Sequence, residues 1–373
     1  MTGPTRAIPV SKRDPTARQI IASWRRLTGG TSVRDPDRPT IAACSGGADS
    51  SALVLALAAT PAAVRVVHVL HRMRPAAEAR ADAEAARELA ERTGCAFELI
   101  ELGEHEPTEA GAARARRGAL AEAAGRHATP FVATGHTADD QLETLLMRLA
   151  RGAGPRGMRG VLPSRRCGGA TLVRPMLAIT REQALELCRR AGWRWREDRT
   201  NLETDRVRSS LRRTVTPALR AVLTDAARGA VRTAGTMALH EAALDRRARE
   251  LLDSRRRGRH GLTLTDEDIG GLDAAVLGAL LRRALRLGGG ARLDRLRGAD
   301  VRTLHRWLTA SRAPGERLSL GPIAVLRERE CVTISIDHGT VSAGPPGSSA
   351  GPDAGPGTGP GAGPDASPGA GPG

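Results

Sequence analysis

The chain has 373 residues, 40% apolar and 26% charged, which is enough for two domains with a sizeable core and is the balance of a soluble globular protein. Basic residues outnumber acidic ones by 16 (57 against 41), and Lys12 is the only lysine, so the surplus is arginine, whose planar fork of donors suits phosphate oxygens and implies a polyanionic partner. The five cysteines include no C-x-x-C pair, no apolar run approaches membrane-spanning length, and Met1-Thr2-Gly3-Pro4 does not open a signal peptide; cysteine-ligated zinc or iron–sulfur centres and a membrane partner are excluded, and a cytoplasmic protein with reduced thiols is expected.

In chain order, residues 1–38 form an N-terminal extension with one expected helix at 17–27, its face carrying Ile20, Ile21, Trp24 and Leu27 and its end marked by Gly29-Gly30. Thr40-Ile41-Ala42-Ala43 is an apolar run of strand length. It meets Ser45-Gly46-Gly47-Ala48-Asp49-Ser50 and then an apolar helical run over 52–57, read as a helix packed on one face. A strand, a Gly-rich turn and a helix N-terminus together aim backbone N–H groups and the positive end of a helix dipole at one point, a ready site for phosphate. The turn has neither the Gly-Lys-Ser/Thr ending of the common nucleotide loop nor the G-x-G-x-x-G spacing of dinucleotide folds. Further strands are expected at 64–69, 97–102 and 130–134, with helices at 76–93 and 108–127 between them. Strand alternating with helix predicts a doubly wound α/β domain with a mostly parallel sheet, in which ligands sit beyond the carboxyl ends of the strands.

The fourth strand runs into Gly135-His136-Thr137-Ala138-Asp139-Asp140-Gln141-Leu142-Glu143-Thr144. Asp140 and Glu143 are i,i+3 and Asp139 and Glu143 i,i+4, so either pair lies on one helical face. Such carboxylates beside a triphosphate would repel it unless a divalent cation bridged them; they could equally hold an ammonium group, or simply cap the helix. A Gly-rich connection follows from Arg151, with a strand expected at 171–173 and a helix at 181–191. Residues 39–217 are taken as one catalytic domain. Beyond Pro217 helices are expected at 226–256, 274–287 and 294–309 with two short strands near 323–326 and 331–336, giving a smaller, mainly helical domain over 218–340. Residues 341–373 are almost entirely Gly, Pro, Ala and Ser, a disordered low-complexity tail.

Ser-Gly-Gly-x-Asp-Ser resembles the pyrophosphate loop of the PP-loop ATP pyrophosphatases, Rossmann-like proteins that cleave ATP between its α and β phosphates. Further segments narrow the resemblance: 136–144, Arg148-Leu149-Ala150-Arg151-Gly152-Ala153-Gly154, Arg174-Pro175-Met176-Leu177 with Arg181, and Asp198-Arg199-Thr200-Asn201 followed by Arg206, Arg208, Arg212 and Pro217. Over roughly residues 38–220 they are similar, in order and spacing, to the tRNA(Ile)-lysidine synthase family. That resemblance implies a ligase that adenylates C2 of the wobble cytidine, position 34, of a CAU-anticodon tRNA(Ile), and then joins free L-lysine there, releasing AMP and pyrophosphate. By the same resemblance, Ser45, Gly46, Gly47, Ala48, Asp49 and Ser50 bind ATP; Asp49, Asp140 and Glu143 are candidates for Mg²⁺ or lysine, with Asp49 and Asp140 as metal ligands; His136 contacts the adenylate and Arg208 the activated intermediate. A homodimer is compatible with the sequence.

Departures from the family pattern fall at Leu70 and Arg72 after the second strand, at Gly118 and at Ser209. The basic residues Arg246, Arg247, Arg249, Arg255, Arg256, Arg257 and Arg259 are expected to meet RNA phosphates. Aromatics are only 2%, so stacking on a target base must rely on few rings, Trp193 or Trp195, either of which could instead be core. Two other PP-loop readings compete: a base-adenylating tRNA thiolase, which would want paired cysteines, and a small-molecule synthetase, which would bring or recruit a glutaminase and need no Arg-rich helical domain.

Overall fold

The computed structural model describes residue 8 and residues 11–70, 76–103, 108–196, 206–257, 261–287, 298–321 and 323–336. The tail at 341–373, the Asp198-to-Asn201 segment, Arg72 and Arg259 lie outside them.

Helix α1 (Pro15–Leu27) starts on Asp14, whose carboxylate accepts from the N–H groups of Thr16 and Ala17, with Pro15 preset for the first turn. β1 (Thr40–Ala43) leads through the Gly-rich turn into α2 (Ala48–Ala58); β2 (Val64–Leu70), α3 (Ala76–Thr93), β3 (Ala96–Glu101), α4 (Glu109–Arg126), β4 (Phe131–Thr134) and α5 (Ala138–Ala150) follow. β5 (Ser164–Cys167) and β6 (Ala170–Val173) form a hairpin before α6 (Arg181–Arg190). The sheet order is β3-β2-β1-β4-β6-β5, parallel except for β5. The chain runs outward from β1 to β3 and then returns to place β4 on the other side of β1, with Thr40 paired to Val64 on one edge and to Phe131 on the other. The strand order therefore reverses between β1 and β4, and a crevice opens beyond their carboxyl ends.

Helices cover both faces of this sheet. Ile20, Trp24, Leu53, Leu55, Leu89 and Leu187 belong to the core on one face; Ile41, Val67, Leu120 and Val132 form that on the other. Helix α2 departs from expectation: it is buried all round from Ser50 to Leu57, not on one face, because α1 and α6 pack over the side that the sheet leaves free. The β5 strand, with Ser164, Arg165 and Arg166 exposed, has no apolar alternation and was not foreseen.

One helical stretch follows: α7 (Arg206–Ser210), a π-helical turn (Leu211–Val215) and α8 (Thr216–Val222). The Thr216 N–H reaches back to the Leu211 carbonyl, and Pro217, which has no N–H to give, sits at the start of α8, so the ladder shifts register there. The division expected after residue 217 falls in the first turn of α8. Helix α9 (Ala226–Arg255) is 30 residues long and joins the two halves. Its Ala227, Ala230 and Ala234 pack against Ala138, Leu142 and Leu145 of α5, while its far end joins a second core with α10 (Asp266–Gly270), α11 (Ala274–Leu287) and α12 (Gly298–Thr309). The second half is mainly helical, as expected. It also holds a five-stranded antiparallel sheet, β7-β8-β11-β10-β9, built from β7 (Arg256–Arg257), β8 (Gly261–Thr265), β9 (Arg317–Leu320), β10 (Ile323–Arg327) and β11 (Cys331–Ile336). Two of these five strands were legible in the sequence.

Candidate active site

The turn after β1 is built for close approach. Gly46 has φ +86°, and a Cβ there would lie 2.9 Å from the Asp82 carbonyl oxygen of α3. The Ser50 hydroxyl closes the turn: it accepts from the Ser45 N–H (3.1 Å) and donates to the Gly47 carbonyl (2.9 Å), with the Ser45 hydroxyl at 3.2 Å. Gly47 caps α2 with no side-chain hydrogen bond to the helix. First-turn N–H groups of α2 thus lack a side-chain cap, the arrangement that accepts an anion. Gly135 allows the β4–α5 turn to lie against this helix start; a Cβ on it would sit 2.9 Å from the Asp49 carbonyl oxygen.

Asp49 stands in the first turn of α2 with Oδ1 buried and without a hydrogen-bond partner, and Oδ2 3.9 Å from the Arg181 guanidinium. Burial pushes its carboxyl up to about 7 against the opposing pull of Arg181. An orphaned buried oxygen beside an uncapped helix start fits a divalent cation carried in on phosphate oxygens, since Mg²⁺ is commonly held by one or two carboxylates plus phosphates. Among the described residues no group of three or more His, Cys, Asp or Glu side chains could hold a metal by itself.

On α5 the N-cap is Thr137, and Asp140 is the reciprocal member of a capping box, accepting from the Thr137 N–H at 2.8 Å. The other Asp140 oxygen accepts from Arg208 (2.7 Å) and Arg212 (3.3 Å). Glu143, 1% exposed, accepts from Arg208 Nε (2.9 Å), Arg212 Nε (2.8 Å) and Arg212 Nη2 (3.0 Å). Arg208 and Arg212 sit four residues apart across the start of the π turn and share both carboxylates. Burial alone would raise the Asp140 carboxyl; Arg208, the Thr137 N–H and Arg212 outweigh it and hold it below the usual carboxylate value. Burial likewise opposes charge on Arg208 and Arg212, and the two carboxylates reverse that.

Asp139 points elsewhere. It accepts from the Arg181 backbone N–H at 2.7 Å and pairs with Arg220 of α8 at 3.0 Å, so it ties the starts of α5 and α6 to the arginine-bearing helix. Of the two carboxylate pairs offered by the sequence, the structure brings together Asp140 and Glu143. His136 leaves the end of β4 with Nδ1 2.9 Å from the Thr134 hydroxyl. Burial holds its imidazole down to about 4, so the ring is neutral at pH 7. Gln141 and Arg148 fasten the Gly-rich connection to α5: Gln141 accepts from the Val161 N–H (2.6 Å), and Arg148 donates to the carbonyls of Gly157 (2.5 Å) and Gly160 (2.8 Å).

Asp49, Ser50, His136, Asp140, Arg208 and Arg212 line one cleft of about 890 Å³ at the strand-order reversal, while Asp139, Glu143, Gln141 and Arg148 lie behind its wall. Nine arginines line it against three carboxylates, Asp49, Asp82 and Asp140. That is a cavity for a polyanion. Arg174, whose guanidinium burial lowers to about 10, still carries its charge at pH 7. Asp82 holds Arg196 at 2.9 Å, and the Arg196 N–H donates to the Gly46 carbonyl, strapping the segment after α6 onto the loop. Nothing in the Ala/Glu/Arg pattern of α3 singles out Asp82. Of the departures from the family pattern, Leu70 and Ser209 line the cleft, and Gly118 on α4 has open space where a side chain would stand. Arg247, Arg249 and Arg255 pair with Glu250, Asp245 and Asp268.

Fold, loop and cleft define a PP-loop protein, and the PP-loop domain family matches residues 19–219. A tRNA(Ile)-lysidine synthase of Salinispora tropica is 37% identical over 332 residues, covering 86% of this chain and 97% of the relative. Another from Methylobacterium nodulans is 37% identical over 292 residues, 75% of this chain and 85% of its own. A solved structure of a U34-tRNA thiolase, NcsA from Methanococcus maripaludis, is 17% identical, covers 60% of this chain and 79% of that one, and has a TM-score of 0.49. The chain belongs to the tRNA(Ile)-lysidine synthase family.

Proposed function

We propose that this protein is the ATP-dependent ligase that joins lysine to C2 of the wobble cytidine of a CAU-anticodon tRNA(Ile), forming lysidine. The carrying observation is the single cleft in which an uncapped helix start, an unpartnered Asp49 oxygen and the Arg208–Arg212 pair face one another. No described feature favours the thiolase or small-molecule synthetase reading.

In this reading the turn at 45–50 and the first N–H groups of α2 hold the β and γ phosphates of ATP. Asp49 would hold Mg²⁺ together with phosphate oxygens, and the ion would neutralise charge on the departing pyrophosphate; both Asp140 oxygens are already engaged by Thr137, Arg208 and Arg212, which favours a role in aiming the arginines. The cytidine O2 attacks the α-phosphorus and the α–β bond breaks. Arg208 and Arg212, pre-aimed by Asp140 and Glu143, donate to the α-phosphate oxygens as negative charge builds there. Neutral His136 offers the adenylate a hydrogen bond without competing as a charge. The lysine ε-amine, deprotonated, then attacks C2, and AMP departs with the former O2. Both Glu143 oxygens are engaged by guanidinium groups, which favours a role in aiming the arginines over one as proton acceptor. Binding of tRNA draws on the arginine excess.

The test is adenylation without lysine: α-labelled ATP and CAU-anticodon tRNA(Ile) should place label on the RNA, and added lysine should release it as AMP. Release of label by ammonia or a sulfur donor, with lysine inert, would transfer the protein to one of the other PP-loop classes.

A further inference from the structure

The chain contains four tryptophans, two phenylalanines and no tyrosine. Trp24, Trp193 and Trp307 are 0%, 3% and 8% exposed and belong to cores. Trp195 is different. One side of its indole leans on the first core, and the ring also lines the cleft. Its place is fixed from both neighbouring elements: the next residue, Arg196, donates its N–H to the Gly46 carbonyl and its guanidinium to Asp82. The indole is therefore held beside the pyrophosphate turn before any ligand arrives. The guanidinium of Arg189, also in the cleft wall, stands over the ring with its central carbon 6.0 Å from the ring centroid. The other rings in that wall are imidazoles, with less π-surface than an indole. His68 is 5% exposed and bound through Nδ1 to the Cys44 carbonyl, and His136 is engaged with Thr134.

We propose that Trp195 is a stacking platform for a planar nucleobase in this cleft, with Arg189 closing over the base from the opposite side. Indole faces and guanidinium planes are the two side-chain surfaces on which unstacked bases settle, and leaving a large ring partly exposed at a cleft otherwise dominated by arginine has a cost that stacking recovers. The proposal rests on the reading of the cleft as the meeting place of ATP and a tRNA base. Either the adenine of ATP or the splayed-out pyrimidine of the tRNA supplies the shared chemistry, a flat π-face.

Trp195 is the tryptophan that an aqueous quencher reaches, so intrinsic fluorescence reports on it directly. Acrylamide quenching of the full chain is measured alone, with ATP, and with CAU-anticodon tRNA(Ile), and steady-state lysine incorporation is measured for Trp195→Phe and Trp195→Leu. Bound base should shield the indole. Trp195→Leu should raise one KM by roughly five- to a hundredfold, the range of a lost base–aromatic stack, while kcat changes far less, and Trp195→Phe should restore most of it. A KM change confined to ATP assigns the platform to adenine, one confined to tRNA to the target base, and both outcomes support it. Unaltered KM values in a folded, active Trp195→Leu variant, or quenching unchanged when both ligands are bound, would overturn it. Shielding by ATP in a wild-type protein that incorporates no lysine would instead count against the ligase reading and leave the platform standing.

Discussion

In the proposed reading Asp49 meets two opposed demands: phosphate charge would arrive beside it, yet burial keeps its carboxyl at about 7 rather than at the ordinary 3.8. With a raised folded-state value, the native protein holds a proton that the unfolded chain releases between about pH 4 and 7, so this group's contribution to stability falls as pH rises through that window. Asp49→Asn should flatten that part of the stability profile in ligand-free protein, read by denaturant midpoints at pH 5 and pH 7. Binding of Mg·ATP should release a proton from the wild type below pH 7, seen by calorimetry in buffers of different ionisation enthalpy, and the variant should lose the signal. A second test concerns Glu143, whose buried carboxylate serves two guanidinium groups at once. Glu143→Gln sets an amide N–H₂ against them and leaves charge uncompensated, at a cost of about 3–5 kcal/mol. Label transfer from ATP to tRNA should fall at least about a hundredfold, with tRNA binding by filter retention kept within about threefold. Retained adenylation would mean that the arginines need no such aiming. The loop at 45–50 was legible as a tight turn onto a helix start because glycine, hydroxyl and helix start adjoin in the sequence. The engagement of Arg208 and Arg212 with Asp140 and Glu143 was not, since it joins groups more than sixty residues apart.

A single side chain fixes the approach to β1. Arg38, 1% exposed, donates to the carbonyls of Arg25, Gly30, Val33 and Arg34 and to the Thr28 hydroxyl, and lies 5.2 Å from the Trp24 ring. It ties the loop between α1 and β1 to the end of α1, so that the loop's carbonyls have partners away from water. Arg38→Met should destabilise the fold by about 3–5 kcal/mol, because several buried carbonyls lose their donor together and Asp35, still bonded to Arg25, loses a second guanidinium 3.7 Å away; a Tm shift of under two degrees would refute that role. Helices α2 to α6 around the site were readable from periodicity and caps, whereas no helix was expected over 206–222. The π turn was not, because Pro217 marks an interruption without saying that the helix continues through it. That offset places Arg208, Arg212 and Arg220 so that the first two meet Asp140 and Glu143 while the third meets Asp139.

At the scale of the molecule, α9 links the arginine-rich second half to α5 and so to Asp140 and Glu143, through a contact of alanines on leucines. Three strands of that half's sheet escaped the sequence reading: β7 and β9 are only two and four residues long, and β8 meets its partner β11 across three intervening helices. The surplus of 16 basic residues predicts a division by salt. Affinity for tRNA should drop at least about a hundredfold between about 50 and 200 mM salt, while the KM for ATP should move by less than about threefold. Equal sensitivity of the two would mean that the arginines outside the cleft do not meet RNA. The central claim is tested most directly by incubating the protein with ATP, Mg²⁺, radiolabelled lysine and either CAU-anticodon tRNA(Ile) or the same tRNA with uridine at position 34. Label should enter the first RNA, at the wobble nucleotide and with AMP and pyrophosphate released one for one, and not the second; AMP formation without lysine in the RNA would contradict it.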